Sequence, residues 1–211
     1  MGVYENAELK AAFGGRAFRP GGTEITEAAL ALCDFQPGAV IIDLASGAGA
    51  TLKLLADNGF NAFGLEKSEA LAIESNRAAP TLLGDFHSPP WPDALADGIF
   101  CECSLSLAEK PETVLDQCRR LLKDGGRLII SDLFKNDDGP ESLKTMGQRL
   151  LDRGLAIEHQ KDYSRALRET AAALVWELGS LKALAELFPP AGRACFQGAD
   201  YAYYLLVCRK R

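Results

Sequence analysis

The sequence predicts an α/β fold in one domain, a parallel sheet covered by helices on both faces. Three observations carry this. Short, branched apolar runs alternate with segments of helical spacing along most of the chain. Those runs are apolar on both of their faces, as strands buried from two sides must be. The chain has 211 residues and is 47% hydrophobic, enough for a full-sized core and a length that fits one domain better than two, and no repeat, low-complexity tract or linker divides it.

The elements follow in order. Residues 26–32 read as a short helix with Thr23 or Thr26 as cap, ended by "QPG", and "AVIIDLA" is an apolar run of strand length. "TLKLLADN" has helical spacing and stops at Gly59. The alternation continues through "NAFGLE" (strand), "SEALAIESNRA" (helix), "PTLLGD" and "GIFCECSL" (strands), "PETVLDQCRRLL" (helix) and "GGRLIISDLF" (strand). The last third is less regular. "ESLKTMGQRLLDRG" predicts a helix closed by Gly154, "LAIEHQKDY" a strand, "SRALRETAAALVWELGSLKALAELF" one long or broken helix, and "DYAYYLLVCRK" a closing strand. Leu150, Leu151, Leu174, Val175 and Trp176 are expected in the core, and Trp91, among prolines, as a loop anchor.

Composition excludes several functions. A net charge of −6, with Lys and Arg scattered until the terminal "RKR", would repel a phosphate backbone, so no nucleic-acid partner is expected. The first residues carry no secretory pattern, and Asn6 stands where a myristoylation signal needs Ser or Thr. No window approaches the roughly 18 apolar residues of a membrane span. A cytoplasmic protein with no membrane partner is the expectation. Six cysteines, at 33, 101, 103, 118, 195 and 208, form no CxxC pair and have no His at zinc-site spacing, so a reduced chain without a metal site is expected.

The stretch "VIIDLASGAGAT" carries the chemistry. An open parallel sheet binds ligands at the carboxyl ends of its strands, where strand turns into helix. Gly47 and Gly49 let the backbone approach a ligand and take φ > 0, and Ala45, Ser46, Ala48 and Ala50 keep bulk away. A plain strand–helix turn would use the same glycines. Glu66, nineteen residues past Gly47, falls at the end of the second strand, where a carboxylate can accept from both hydroxyls of a ribose. A nucleoside-containing cofactor follows. The dinucleotide fingerprint GxGxxG/A, started at Gly47, meets Leu52, which would obstruct close helix–strand packing, instead of Gly or Ala, and no GxxxxGK[ST] loop exists, so a cofactor without pyrophosphate is favoured.

These residues resemble the class I S-adenosylmethionine-dependent methyltransferases. "DLASGAGAT" is similar to that family's D/E-x-G-x-G-x-G signature with Ala45 for its first Gly, and "FGLEKSEAL" to its second strand and following helix start. "LLGDFHSPPWPDALADGIF" resembles its third-strand GD, Pro-rich loop and fourth strand, and "RRLLKDGGRLIISD" its LKPGG-strand hallmark. The four motifs run in order from about 38 to 134. The resemblance implies a Rossmann-like, doubly wound sheet of seven strands, the last antiparallel near Tyr203 to Cys208, with S-adenosyl-L-methionine as cofactor and a small-molecule methyl acceptor as partner. It implies that Gly47 and Gly49 approach the methionine part, Asp43 acts around its ammonium, Glu66 holds the ribose, and Asp85 with Phe86 meets the adenine. Ala45, Lys67 and Cys103 complete the implied cofactor-binding set. On this reading residues 1–36 are an N-terminal flap and helix, 37–134 the cofactor-binding half, and 135–211 the substrate-side and C-terminal half.

The rest stays open at this stage. "CECSLSL" ends the fourth strand, and alternation places Cys101 and Cys103 on one face with Glu102 opposite; packing is favoured for Cys101, while Cys103 is a candidate for the methyl-donor site. Oxygen or amine acceptors gain from a general base, and His87, His159 and Glu102 are available without a decisive pattern; no partner carboxylate is evident for either histidine. "FGGRAFRPGGTEIT" suits a flap whose Arg19 or Thr23 meets the cofactor carboxylate, or an ordinary lead-in loop. Two rival functions remain: a protein that binds the cofactor as sensor or accessory without turnover, and a nicotinamide-dependent oxidoreductase.

Overall fold

A computed structural model describes residues 19–180, 182–183 and 201–211. Arg16 and Phe18 of the predicted flap, Cys195, and the far end of the long predicted helix lie outside the described residues.

Among the described residues, seven strands form one sheet in the order β3-β2-β1-β4-β5-β7-β6. They are β1 (Val40–Leu44), β2 (Asn61–Glu66), β3 (Thr81–Leu83), β4 (Ala96–Glu102), β5 (Leu122–Lys135), β6 (Leu155–Asp162) and β7 (Tyr201–Lys210). β1 to β5 pair in parallel, and β7 lies antiparallel between β5 and β6. The strand order reverses between β1 and β4, so the cleft at their carboxyl ends is the place where such a sheet takes ligands.

Strand alternation divides the core in two. Ile42, Leu44, Ile99, Cys101, Leu128 and Ile130 face one side, under α4 (Pro111–Leu121) and α5 (Leu143–Asp152). Ile41, Phe100 and Ile129 face the other, under α1 (Glu24–Cys33) and α2 (Ala50–Asp57). Local chemistry sets the helix ends. Ser68 accepts from the Leu71 N–H at the start of α3 (Glu69–Ser75), and Ser142 accepts from the Thr145 N–H at the start of α5. Pro111 opens α4, where a missing N–H costs nothing, and Gly179 in the left-handed region ends α6 (Ser164–Leu178).

Several expectations need correction. Leu52 does not obstruct packing of α2 on the sheet, because the facing residue of β2 is Gly64, where a Cβ would lie 2.6 Å from Leu52 Cδ1. The room a third glycine would give on the helix comes here from the strand. Of the residues expected in the core, Leu150 and Leu174 are buried, but Trp176 is 86% and Leu151 57% exposed. Leu151 follows Leu150 directly, and one helix position cannot share its neighbour's face. Cys101 and Cys103 do not share a face: β4 ends at Glu102, and Cys103, at φ 50°, turns out of the alternation. Cys101 stays in the first core, its Sγ 3.9 Å from that of Cys118, whereas Cys103 packs against the second.

Candidate functional site

The turn after β1 is built from three left-handed residues, Ala45 (φ 61°), Gly47 (φ 54°) and Gly49 (φ 86°). The two glycines differ. A Cβ on Gly49 would lie 2.8 Å from the Ser75 Cα, so this residue lets α2 start against the end of α3. A Cβ on Gly47 would meet nothing within 4 Å and would project into a cleft. Glu66, at the end of β2, closes the turn from the opposite side: Gly47 N donates to its Oε2 at 2.8 Å and Ser68 N to its Oε1 at 2.9 Å. Two N–H donors leave such a carboxylate with room for two more.

The cleft has a volume of about 750 Å³ and is lined by Ala45, Gly47, Gly49, Glu66, Lys67, Asp85, Phe86 and Cys103, eight of the nine residues the sequence singled out. Asp43 is the exception. It is 3% exposed within the sheet and does not line the cleft; burial, reinforced by Glu102 and Glu66, pushes its carboxyl well above the usual range despite Arg19. At the far end, Asp85 accepts from both the backbone N–H (2.9 Å) and Nδ1 (2.6 Å) of His87 and pairs with Lys67 at 3.2 Å. The backbone bond leads, and the carboxyl falls to about 2. His87 therefore has the partner carboxylate that the sequence reading did not find, two residues away.

Sequence reasoning also missed the end of β4. Glu102 is 8% exposed, and its Oε2 lies 2.7 Å from Arg19 Nη1. Two threonines relay the same charges: Arg19 donates to Thr51 and Thr26, and these donate to Glu102 at 2.6 and 2.9 Å. Ser131 Oγ approaches Glu102 at 3.3 Å. Arg19 is thus bound to a protein carboxylate, and Thr23 does not line the cleft. No local pattern announces this network, because Arg19 and Glu102 meet only through the docking of α1 on the sheet. His159, on edge strand β6, lines neither the cleft nor its neighbour described next.

A second cavity, about 340 Å³, adjoins the cleft and shares Arg19, Cys103 and Leu107 with it. Its other walls are mostly apolar, among them Leu133, Phe134, Met146, Leu167 and Leu174. Cys103 Sγ is 3.1 Å from Tyr203 Oη, and burial pushes the thiol up to about 12. Asp132, also in the wall, accepts from Ser104 N (3.1 Å), Ser106 N (3.0 Å), Ser106 Oγ (2.6 Å) and Leu133 N (2.8 Å). Burial still raises its carboxyl above the usual range. Among the described residues, no cluster of His, Cys, Asp or Glu could hold a metal ion.

Comparison with known proteins converges on one family. A profile for methyltransferase domains matches residues 42–130. Demethylmenaquinone methyltransferase of Renibacterium salmoninarum is 26% identical over 107 residues, 49% of this chain and 45% of that protein. The enzyme of the same name from Beutenbergia cavernae is 28% identical over 100 residues, 46% of this chain and 42% of that protein. The matched segments thus span less than half of these relatives. Among solved structures, phosphoethanolamine N-methyltransferase 2 of Haemonchus contortus, in complex with S-adenosyl-L-methionine, superposes with a TM-score of 0.79 at 14% identity, covering 96% of this chain and 56% of that one. The cyclase SpnF superposes with a TM-score of 0.78 at 18% identity, covering 99% and 93%. In its ordered motifs, its strand order and the matched segment, the chain is similar to the class I S-adenosylmethionine-dependent methyltransferases.

Proposed function

We propose that the protein transfers a methyl group from S-adenosyl-L-methionine to a small, largely apolar molecule. The observation that carries this reading is the meeting of two cavities at Arg19, Cys103 and Leu107, one with a glycine turn and a ribose-type acid, the other apolar. The residues present fit the cofactor. Gly47 leaves open the volume a side chain would fill, and Glu66 keeps acceptor capacity beyond its two backbone donors. When bound, the cofactor supplies a methyl group already activated on a sulfonium.

The chain's part is to bind, orient and exclude water. The turn 45–49 brings backbone to the ligand, Glu66 accepts from ribose hydroxyls, Lys67, Asp85 and Phe86 edge the far end, and Cys103 marks the junction. Asp43, set back from the surface, lies behind the turn and does not touch the cleft. Residues 37–134 make the cofactor side, and 135–211 contribute much of the second cavity. No helix among the described residues is long and apolar enough to cross a membrane, and we read the protein as a cytoplasmic enzyme.

The two curated relatives carry names of quinone-type methylation, which suits an apolar cavity. Calorimetry with S-adenosylmethionine, S-adenosylhomocysteine and NAD, followed by a mass-spectrometric screen of apolar hydroxyl, thiol and quinol acceptors, tests the reading. Tight NAD binding without either adenosyl ligand would overturn it. Adenosyl binding with no transfer to any acceptor would favour the sensor or accessory role, or another reaction on the same fold, as in the cyclase SpnF.

A further inference from the structure

Among the described residues, the junction of the two cavities holds a cation and no available base. Around it stand Arg19, Glu102, Cys103, Asp132 and Tyr203, with Glu141 and Arg149 on the outer wall of the apolar cavity. Glu102 has four partners, Arg19, Thr26, Thr51 and Ser131, and Asp132 has four donors. A carboxylate offers about four lone-pair positions, so neither has one left for a substrate proton. Burial holds the Cys103 thiol near 12 and pushes the Tyr203 phenol well above its ordinary value, so both stay protonated. Glu141 is bound to Lys135 (2.6 Å) and Tyr201 (3.0 Å) and falls below the usual range, which makes it a weak base.

Arg19 is differently placed. It lines both cavities, and four of its five N–H groups are engaged, by Gly22 O, Thr51, Thr26 and Glu102, which leaves one on Nη2. Capacity for a further acceptor remains beside Glu102. A guanidinium in an apolar, water-poor setting stabilises an oxyanion much more than it would in water.

We propose that the acceptor is an apolar molecule with an acidic phenol or enol, taken up as its oxyanion with that oxygen on Arg19, and that the enzyme uses no general base of its own. This rests on the methyltransferase reading above and narrows its substrate class. The acceptor releases its proton to water before transfer. A lone pair of the resulting phenolate or enolate, on oxygen or on the conjugated carbon, forms the bond to the methyl carbon, and the pair of the carbon–sulfur bond stays on sulfur.

The test uses 4-nitro-1-naphthol, whose anion absorbs in the visible, titrated onto the intact protein with saturating S-adenosylhomocysteine. The bound naphthol should ionise at a pH at least one unit lower than the free one, a tenfold shift toward the anion. Arg19→Met alone would strand Glu102, so the double variant Arg19→Met/Glu102→Gln is compared, and it should bind the neutral naphthol without the shift. Arg19→Lys, which keeps the charge, should retain part of it. A naphthol that binds neutral to the parent protein, or an equal shift in the double variant, overturns the proposal. If the double variant does not fold, the parent and Arg19→Lys titrations decide. In a set of phenols of graded acidity, the acid limb of kcat/KM should follow each phenol's own pKa; one limb common to all would reveal an enzyme base and refute the inference. Failure of S-adenosylhomocysteine itself to bind would sink the methyltransferase reading instead.

Discussion

Gly47 and Gly49 lie two residues apart in one turn, both left-handed, yet replacing each by Ala should have opposite kinds of effect. At either position a Cβ in the left-handed region costs roughly 1–2 kcal/mol, part of which is offset because Ala loses less chain entropy than Gly on folding. At Gly49 a second penalty applies: the new Cβ lies 2.8 Å from Ser75 Cα and 3.1 Å from Ser75 O, and backbone cannot swing aside as a side chain can. Overpacking of that kind typically adds about 1–3 kcal/mol. Gly49→Ala should therefore lose about 2–4 kcal/mol of stability, a fall in Tm of roughly 4–16 °C for a chain of this size. Gly47→Ala meets no protein atom within 4 Å and should lose only about 1 kcal/mol, or roughly 2–4 °C. Its Cβ instead enters the cleft, where S-adenosylhomocysteine affinity should fall at least about tenfold, 1.4 kcal/mol. Thermal unfolding and calorimetry on both variants separate the two effects. Equal destabilisation by both, or a Gly47→Ala protein that binds within twofold of the parent, would refute the argument.

Other expectations follow from the same geometry. Ala45→Gly removes a left-handed Cβ and should raise stability by about 1 kcal/mol and Tm by roughly 2–4 °C; a fall in Tm would show that the methyl group packs usefully. Glu66→Ala should weaken S-adenosylhomocysteine by roughly 1.5–3 kcal/mol, about one to two decades, and calorimetry giving a change under twofold would count against its ribose role. Cys103, held near 12, should alkylate at pH 8 about a hundredfold or more slower than an exposed thiol, with or without ligand, as peptide mass spectrometry after timed labelling would read. Rapid labelling of Cys103 would mean that Arg19 and Tyr203 do not enclose it.

Much of the fold was legible because its signals are local. β2 was read to the residue from "NAFGLE", and the Gly–Gly–Glu66 spacing found the cleft because turn, strand length and acid recur within one strand–helix–strand unit. Position along β4 was not legible. The apolar run continues through Ser104 and Leu105 without a breaker, so nothing in it marks Cys103 as the residue that leaves the ladder. The Arg19–Glu102 pair was illegible for another reason: its partners are far apart in sequence and meet only in the tertiary structure. Asp85 and His87 could have been paired from sequence alone, since an Asp two residues before a His can accept from that residue's own N–H and then from its ring. Trp176 shows the opposite error, in which an aromatic at helical spacing was given a core role that its helix face does not provide.

The position of β7 has a consequence for how the molecule is made. This strand, residues 201–210, lies between β5 and β6 and carries Tyr203, which bonds both the Ser131 carbonyl and the Cys103 thiol. On the ribosome, where chains emerge at roughly 5–20 residues per second, β1 to β5 and the glycine turn are complete while β6 still lacks its neighbour β7. The half that carries the glycine turn and its cleft can close early. The apolar chamber cannot, because one of its walls emerges only after the other six strands, and until then the edge of β5 is open. Nascent chains stalled before residue 201 should accordingly be the aggregation-prone species.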